Sequence, residues 1–314
     1  VEDIREWPQP EYDYNTKRLV AIYREGIQAI KAQLDEMLMR GELDDAKFLA
    51  QMMAQYEQIV AQLNSDASQW VQDVLTEVYQ NGVENGAYAA GASEAVIANI
   101  SLSRPHRLMA NAFIADTQSD LLKMTQYVDA QVRTAVQGAV GQAIRNKVSR
   151  GSNHVGELSA QTLRNLRKTF AEAADTVIID KLGRRWTAER YADMIAYTKQ
   201  KDAHDEATRI EALDRGVEYG LIVGPSATDA CKYHVGRIVR LTEAGDDQYM
   251  TLDELKASNQ IFHPKCRHRV VPYANPHNLS PRRQATATSQ EQAGRAAMDT
   301  GKRNPKLDAT EGAN

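Results

Sequence analysis

Apolar residues that recur every three or four positions over very long stretches limit what this chain can fold into more than any other feature. Leu19, Ile22, Tyr23, Ile27, Ile30, Leu34 and Leu38 form the first such series, running from the neighbourhood of Tyr14 to about Gly41. This spacing returns side chains to one face of an α-helix, whereas a half-buried strand would need strict alternation. The stretch therefore reads as one long amphipathic helix. Leu49, Met52, Tyr56, Ile59, Val60 and Leu63 repeat the pattern after the short Gly41-Glu42 joint, which makes an antiparallel helical hairpin the simplest arrangement. A third helix is expected to start from a cap at Asn64, Ser65 or Asp66 and to bury Trp70, Val74, Val78 and Tyr79.

Gly82, Gly86 and Gly91 fall among alanines in the second half of that helix. Each costs about 1 kcal/mol of helix propensity relative to alanine, so close backbone packing against another helix is the expected compensation. Ser101 to Arg107 breaks the pattern, and Leu108 to about Arg145 restores it. Ser149, Gly151 and Ser152 mark a turn, after which Thr162 to Asp180 reads as a helix with Leu163, Leu166, Phe170, Ala173 and Val177 inward. The chain turns again between Asp180 and Trp186. A further helix from Ala188 to about Tyr219 carries Tyr191, Met194, Ile195 and Tyr197 on its apolar side. Trp70 and Trp186 are expected to anchor helix packing, and His106, His154 and His204 to face solvent.

Beyond this point the texture changes. Leu221-Ile-Val223, Ile238-Val-Arg-Leu241 and Arg269-Val-Val271 are short β-branched runs set off by Gly, Pro, Asp and Thr, the pattern of a small sheet. Thr251-Leu-Asp-Glu-Leu255 reads as a short capped helix. After Tyr273 few large apolar side chains remain, so the tail is expected to stay disordered. It is locally basic through Arg282, Arg283, Arg295, Lys302, Arg303 and Lys306, a set suited to a nucleic-acid backbone or an acidic protein surface, or simply to solvent. The expected fold class is mainly α: a long-helix domain over residues 1–182, a small α+β module over 183–275 and a disordered tail over 276–314.

A chain of 314 residues with 42% hydrophobic content can bury a core without covalent staples. Its formal net charge of -4 argues against a dedicated sequence-reading nucleic-acid binder. No apolar run approaches the roughly 20 residues a membrane helix needs, and no membrane partner is expected.

The two cysteines and three of the seven histidines fall in one C-terminal stretch, as Cys231-x2-His234 and His263-Pro264-Lys265-Cys266-Arg267-His268. Thiolate and imidazole are the donors of a tetrahedral zinc site, and two ligand pairs on separate turns are a usual way to clamp a small sheet. Cys231 with His234 would give one pair and Cys266 with His268 the other. His263 could replace either histidine, and Pro264 stiffens its loop. Two other readings stay open. The cysteines would be small buried residues and the histidines partners of carbonyls, or the cluster would serve a metal-dependent nuclease or hydrolase. Four Cys/His donors would close the shell against water, and Asp229, Asp246, Asp247, Asp253 and Glu254 suit caps and turns, so a non-enzymatic role is expected.

Several segments carry a resemblance: Gly183-Arg-Arg-Trp-Thr-Ala-Glu-Arg-Tyr-Ala-Asp-Met-Ile195, Glu218-Tyr-Gly-Leu-Ile-Val223 ahead of Asp229-Ala-Cys231, Gly236-Arg-Ile-Val239, and Phe262-His-Pro-Lys-Cys-Arg-His-Arg-Val-Val-Pro272. The chain resembles the minor capsid proteins of tailed bacteriophages, the group that includes the Mu F-like minor head proteins. Many of these have Cys-x2-Cys and Cys-Arg-Cys where this chain has Cys231-x2-His234 and Cys266-Arg-His268, an exchange that keeps zinc-ligand chemistry. The resemblance implies a low-copy virion component in the head interior near the portal vertex, present in the host cytoplasm during assembly. It also implies the portal protein and major capsid protein as partners, with self-association and packaged DNA as further contacts.

Overall fold

The computed structural model describes residues 7–40, 42–43, 45–150, 160–179, 183, 185–243 and 248–307. Among them the expectation of a mainly α protein with a small C-terminal sheet holds. The helices are α1 (Tyr12–Arg40), α2 (Ala46–Ala89), α3 (Glu94–Ile97), α4 (Arg104–Arg150), α5 (Ala160–Asp175), α6 (Ala188–Asp214), α7 (Leu252–Ala257) and α8 (Pro281–Asp299). The strands are β1 (Thr176–Ile179), β2 (Arg185–Thr187), β3 (Tyr219–Val223), β4 (Ile238–Arg240) and β5 (Arg269–Pro272).

Contacts divide the chain into two compact units, and the line does not fall at residue 182. One unit is Asp13–Val74 with Ile114–Ala196, and the other is Val1–Tyr12, Leu75–Phe113 and Tyr197–Asn314. Helices α2, α4 and α6 each give a segment to both, which no reading of linkers would reveal because the helices run through without a break.

In the first unit the apolar stripe of α1 is buried as its periodicity requires, with Leu19, Tyr23, Ile30, Leu34 and Met37 at 1% exposure or less. The expected break at Asn64, Ser65 and Asp66 does not occur, and α2 continues through it. The stripe is unbroken, from Leu63 through Ala67, Trp70, Val71 and Val74. The polar residues find side-chain partners instead of capping: Thr125 Oγ1 donates to Asn64 Oδ1 at 2.6 Å and Gln62 Nε2 to Asp66 Oδ1 at 2.7 Å. Trp70 donates its ring N–H to Asn15 O at 2.9 Å, which joins α2 to the start of α1. The helix expected to reach Asp180 ends at Asp175, because Thr176–Ile179 is a β-branched run that pairs antiparallel with β2. Asp180 and the turn residues Ser152 and His154 lie outside the described residues.

In the second unit β4, β3 and β5 form an antiparallel sheet in the order β4-β3-β5. Alternation along β3 sends Ile222 to a cluster with Val239, Leu241, Leu252, Leu255 and Ile261, and Leu221 to another with Ile238, Leu279 and Ala287. The glycines of α2 have the expected role: a Cβ on Gly82 would lie 2.5 Å from His204 O, and one on Gly86 2.6 Å from Thr208 O. That approach brings α2 against α6. His106 and His204 are buried rather than solvent-facing, each 1% exposed. His106 lies between Tyr79 Oη and Glu211 Oε2, both at 3.1 Å, and His204 Nε2 meets Asn81 Oδ1 at 3.1 Å. A polar residue enters a core when a partner waits there, and these partners come from other helices.

Part of the tail is ordered where disorder is expected. Residues 281–299 form α8, which opens with Ser280 accepting from Arg283 N and Pro281 in the first turn. It packs through small residues, Ala287, Gly294 and Ala297, and is held by polar bonds. Arg237, fully buried, donates through Nε to Glu291 Oε2 at 2.8 Å, and Gln260 Nε2 donates to Ala297 O at 2.8 Å and Lys302 O at 2.7 Å. A Cβ on Gly294 would meet Arg237 Nη1 at 2.5 Å, so the helix lies directly on the guanidinium.

Candidate metal centre

Two turns of the second unit bring the cluster together. Asp229 caps a 3-10 turn over Ala230–Tyr233 by accepting from Cys231 N, which presents the Cys231 thiol toward the sheet's core. The other turn follows α7, whose start carries the expected capping box between Thr251 and Glu254. Asn259, Phe262 and Lys265 all adopt left-handed backbone there, with φ of 56°, 59° and 61°. Such conformations cost roughly 1–2 kcal/mol each for residues with a side chain, and strain of this kind collects where a local geometry has a use. Here it places His263 and Cys266 beside Cys231.

The sulfurs of Cys231 and Cys266 are 3.9 Å apart, too far for a disulfide and close to the edge of about 3.8 Å that two thiolates on one tetrahedral zinc would span. His268 Nδ1 lies 3.3 Å from Cys266 Sγ, and His263 Nε2 lies 3.4 Å from Cys231 Sγ. Donor atoms of Cys231, Cys266 and His268 all lie within 4.8 Å of one another, and so do those of Asp229, Cys231 and His263. Cys231 is common to both groups. Cys231, Cys266 and His268 are buried, while His263 and Asp229 are partly exposed.

Each of these histidines gives its other ring nitrogen to a backbone carbonyl. His268 Nε2 is 2.9 Å from Pro225 O, and His263 Nδ1 is 3.2 Å from Pro264 O. A carbonyl accepts only from N–H, so Pro225 O sets the tautomer of His268 and aims its unprotonated Nδ1 inward, whereas His263 faces acceptors at both nitrogens, Pro264 O at Nδ1 and the Asp229 carboxylate at Nε2, so its Nε2 can bind a metal only after losing the proton it gives to Asp229. Metal-binding histidines are oriented as His268 is. The hydrogen bond from Cys231 holds the Cys266 thiol down at about 4, against the effect of burial and with help from His268, while the bond to Cys266 together with burial pushes Cys231 up. The contact with Cys266 also raises His268. Burial raises Asp229, but hydrogen bonds from Cys231 and His263 outweigh it and leave the carboxyl below its usual range.

His234 does not join them. Its Nδ1 accepts from Arg237 Nη1 at 2.9 Å and its Nε2 faces Gln260 Oε1 at 2.9 Å, so both nitrogens are committed. Burial, then the Arg237 charge, holds this imidazole down at about 4. The Cys-x2-His spacing suggested a ligand pair, but the 3-10 turn sends His234 toward α8 instead. Arg237 and Gln260, which occupy it, and Glu291, which holds Arg237, carry no signal in sequence. Asp229 has a double role as cap and as partner of His263 Nε2 at 3.1 Å, and its place two residues before Cys231 is the signal that could have shown this. Asp253 pairs with Arg209 through both carboxylate oxygens, and Glu254 completes the capping box. Asp246 and Asp247 lie outside the described residues.

The basic residues of the tail do not form one stripe. Arg282 and Arg283 start α8, whereas Lys302 and Arg303 follow its end, separated by about 27 Å of helix. Arg295 between them is paired with Glu291 at 2.6 Å. No helix among the described residues is long and apolar enough to cross a membrane.

No curated protein and no solved structure matches the chain. The family described as phage minor capsid protein 2 matches residues 15–304, a span that takes in the helices of both units, the Cys/His cluster and α8, and the chain belongs to that family.

Proposed function

We propose that this minor capsid protein is a non-enzymatic, low-copy component of a tailed-phage head, placed in the capsid interior near the portal vertex, where it assists head assembly and DNA packaging or ejection. The observation that carries the reading is the family match over residues 15–304. Kinship with the Mu F-like minor head proteins in particular rests on the Phe262–Pro272 segment. The long helices offer surfaces for the portal protein, the major capsid protein or a second copy. The separated basic ends of α8 suit brief contacts with packaged DNA rather than a continuous track along a phosphate backbone.

A structural zinc clamps the second unit in this reading, because its candidate donors come from two turns that the sheet alone does not join. It would link the Cys231 turn to the His263–His268 loop without taking part in turnover. Cryo-EM of the particle vertex tests the position: density for the long helices inside the head beside the portal is expected, and finished particles free of the chain would overturn it. Linear DNA incubated with the purified protein and divalent metal is expected to stay intact. Cleavage would replace this reading with that of a metal-dependent nuclease or hydrolase.

A further inference from the structure

Resting on the structural-zinc reading, we propose that the ion is held by Cys231 Sγ, Cys266 Sγ, His268 Nδ1 and His263 Nε2, that Asp229 competes with it for His263, and that His234 takes no part. The first three donors form a fixed face. They are 1%, 4% and 5% exposed, and two of their separations, 3.9 Å between the sulfurs and 3.3 Å from Cys266 Sγ to His268 Nδ1, are near the edges of a tetrahedron, which for a sulfur and a nitrogen on zinc are about 3.5 Å, with all three atoms within 4.8 Å of one another. Hydrogen bonding of His268 to Pro225 O locks the ring that completes it.

The fourth position is different. The His263 side chain is 23% exposed, its Nδ1 faces Pro264 O, and its inward Nε2 lies between Cys231 Sγ and Asp229 Oδ2, so a metal must displace the proton that this nitrogen gives to Asp229. A carboxylate and a cation cannot both use that nitrogen. Asp229 is anchored through Oδ1 to Cys231 N, so its second oxygen stays beside the ring as a competitor rather than swinging away. The centre thus has three firm ligands and one that exchanges, and its affinity is set by Asp229 as well as by the donors. His234 is excluded because freeing either nitrogen would break a buried hydrogen bond, that of Arg237 Nη1 or that of Gln260 Oε1.

The test uses the full chain, stripped of metal under reducing conditions and titrated with Zn²⁺ and Co²⁺. Wild-type protein is expected to take one ion, with thiolate-to-Co²⁺ charge-transfer absorption and a tetrahedral ligand-field spectrum. Since losing an outer partner of a ligand already costs 10–100-fold in affinity, His263→Asn should weaken binding by more than about 100-fold and leave one imidazole in X-ray absorption where wild type shows two. Asp229→Asn should tighten binding several-fold. His234→Gln, checked for folding by circular dichroism, should bind as wild type does. If Asp229→Asn weakens binding while His263→Asn does not, the carboxylate is the fourth ligand and the assignment is overturned. A folded His234→Gln variant that loses the ion overturns it as well. Wild-type protein that takes up no metal removes the zinc reading itself, an outcome distinct from the others.

Discussion

Helices α1 and α8 hold their places by opposite means. The first buries a continuous stripe, Leu19, Tyr23, Ile27, Ile30, Leu34, Met37 and Leu38, so many contacts share its stabilisation. The second buries only Ala287, Gly294 and Ala297 and depends on Arg237, Glu291 and Gln260. An apolar stripe is redundant and loses stability in increments. A polar anchor is sparse, and removing one partner strands another in the interior.

The largest expected effect attacks the sparse side. Glu291→Ala leaves the guanidinium of Arg237 buried without a carboxylate, and breaking such a pair costs roughly 3–5 kcal/mol. Limited proteolysis should then cut within 281–299 while the helices of the first unit stay protected. If α8 resists cleavage in that variant, the small-residue packing holds it and the contrast fails. Next comes Leu34→Ala in α1, where the site is 1% exposed and the loss should be roughly 2–4 kcal/mol. Denaturant melts should show the lower midpoint, and α8 should keep its protection.

Acid sharpens the comparison because it acts on the polar anchor of α8 and leaves an apolar stripe untouched. His234 is held neutral, down at about 4, by burial first and then by Arg237 and His268, with Gln260 and Glu291 working the other way. A histidine whose folded value is depressed lends stability that is present above its ordinary value near 6.5 and is lost as the pH falls toward 4. Protection of α8 should therefore fall over that window by roughly 2–3 kcal/mol in hydrogen exchange, and His234→Gln should flatten the profile. The smallest effect is Thr251→Ala, which removes one half of the capping box before α7. About 1 kcal/mol in the chemical-denaturation midpoint is expected, with α1 unaffected.

How much was legible follows the same division. Periodicity placed α1 within two residues at its start, and the β-branched runs located the sheet, because burial of a repeating face is written locally. Asn64 reads as a cap because that signal is local, whereas its partner, Thr125 on α4, is 61 residues away. Residues Thr176–Ile179 read as helix in sequence because a short apolar run suits either structure until a partner strand is known. The cluster itself was visible through residue type. Cys231, Cys266, His263 and His268 could be named, yet choosing among three histidines required knowing which ring nitrogens were already taken.

By itself the sequence determined that long helices would dominate, that a small sheet would follow them, and that both thiols and three imidazoles lie within one short C-terminal stretch of chain. These depend on spacing and side-chain chemistry along a few turns of chain. Only the tertiary structure decided that α8 folds back onto Arg237, that His106 and His204 are interior, and that His263 rather than His234 faces the Cys231 sulfur. Each of those outcomes depends on a partner 25 residues or more away in the chain, as with His234 and Gln260 at a separation of 26, and no local pattern encodes such a partner.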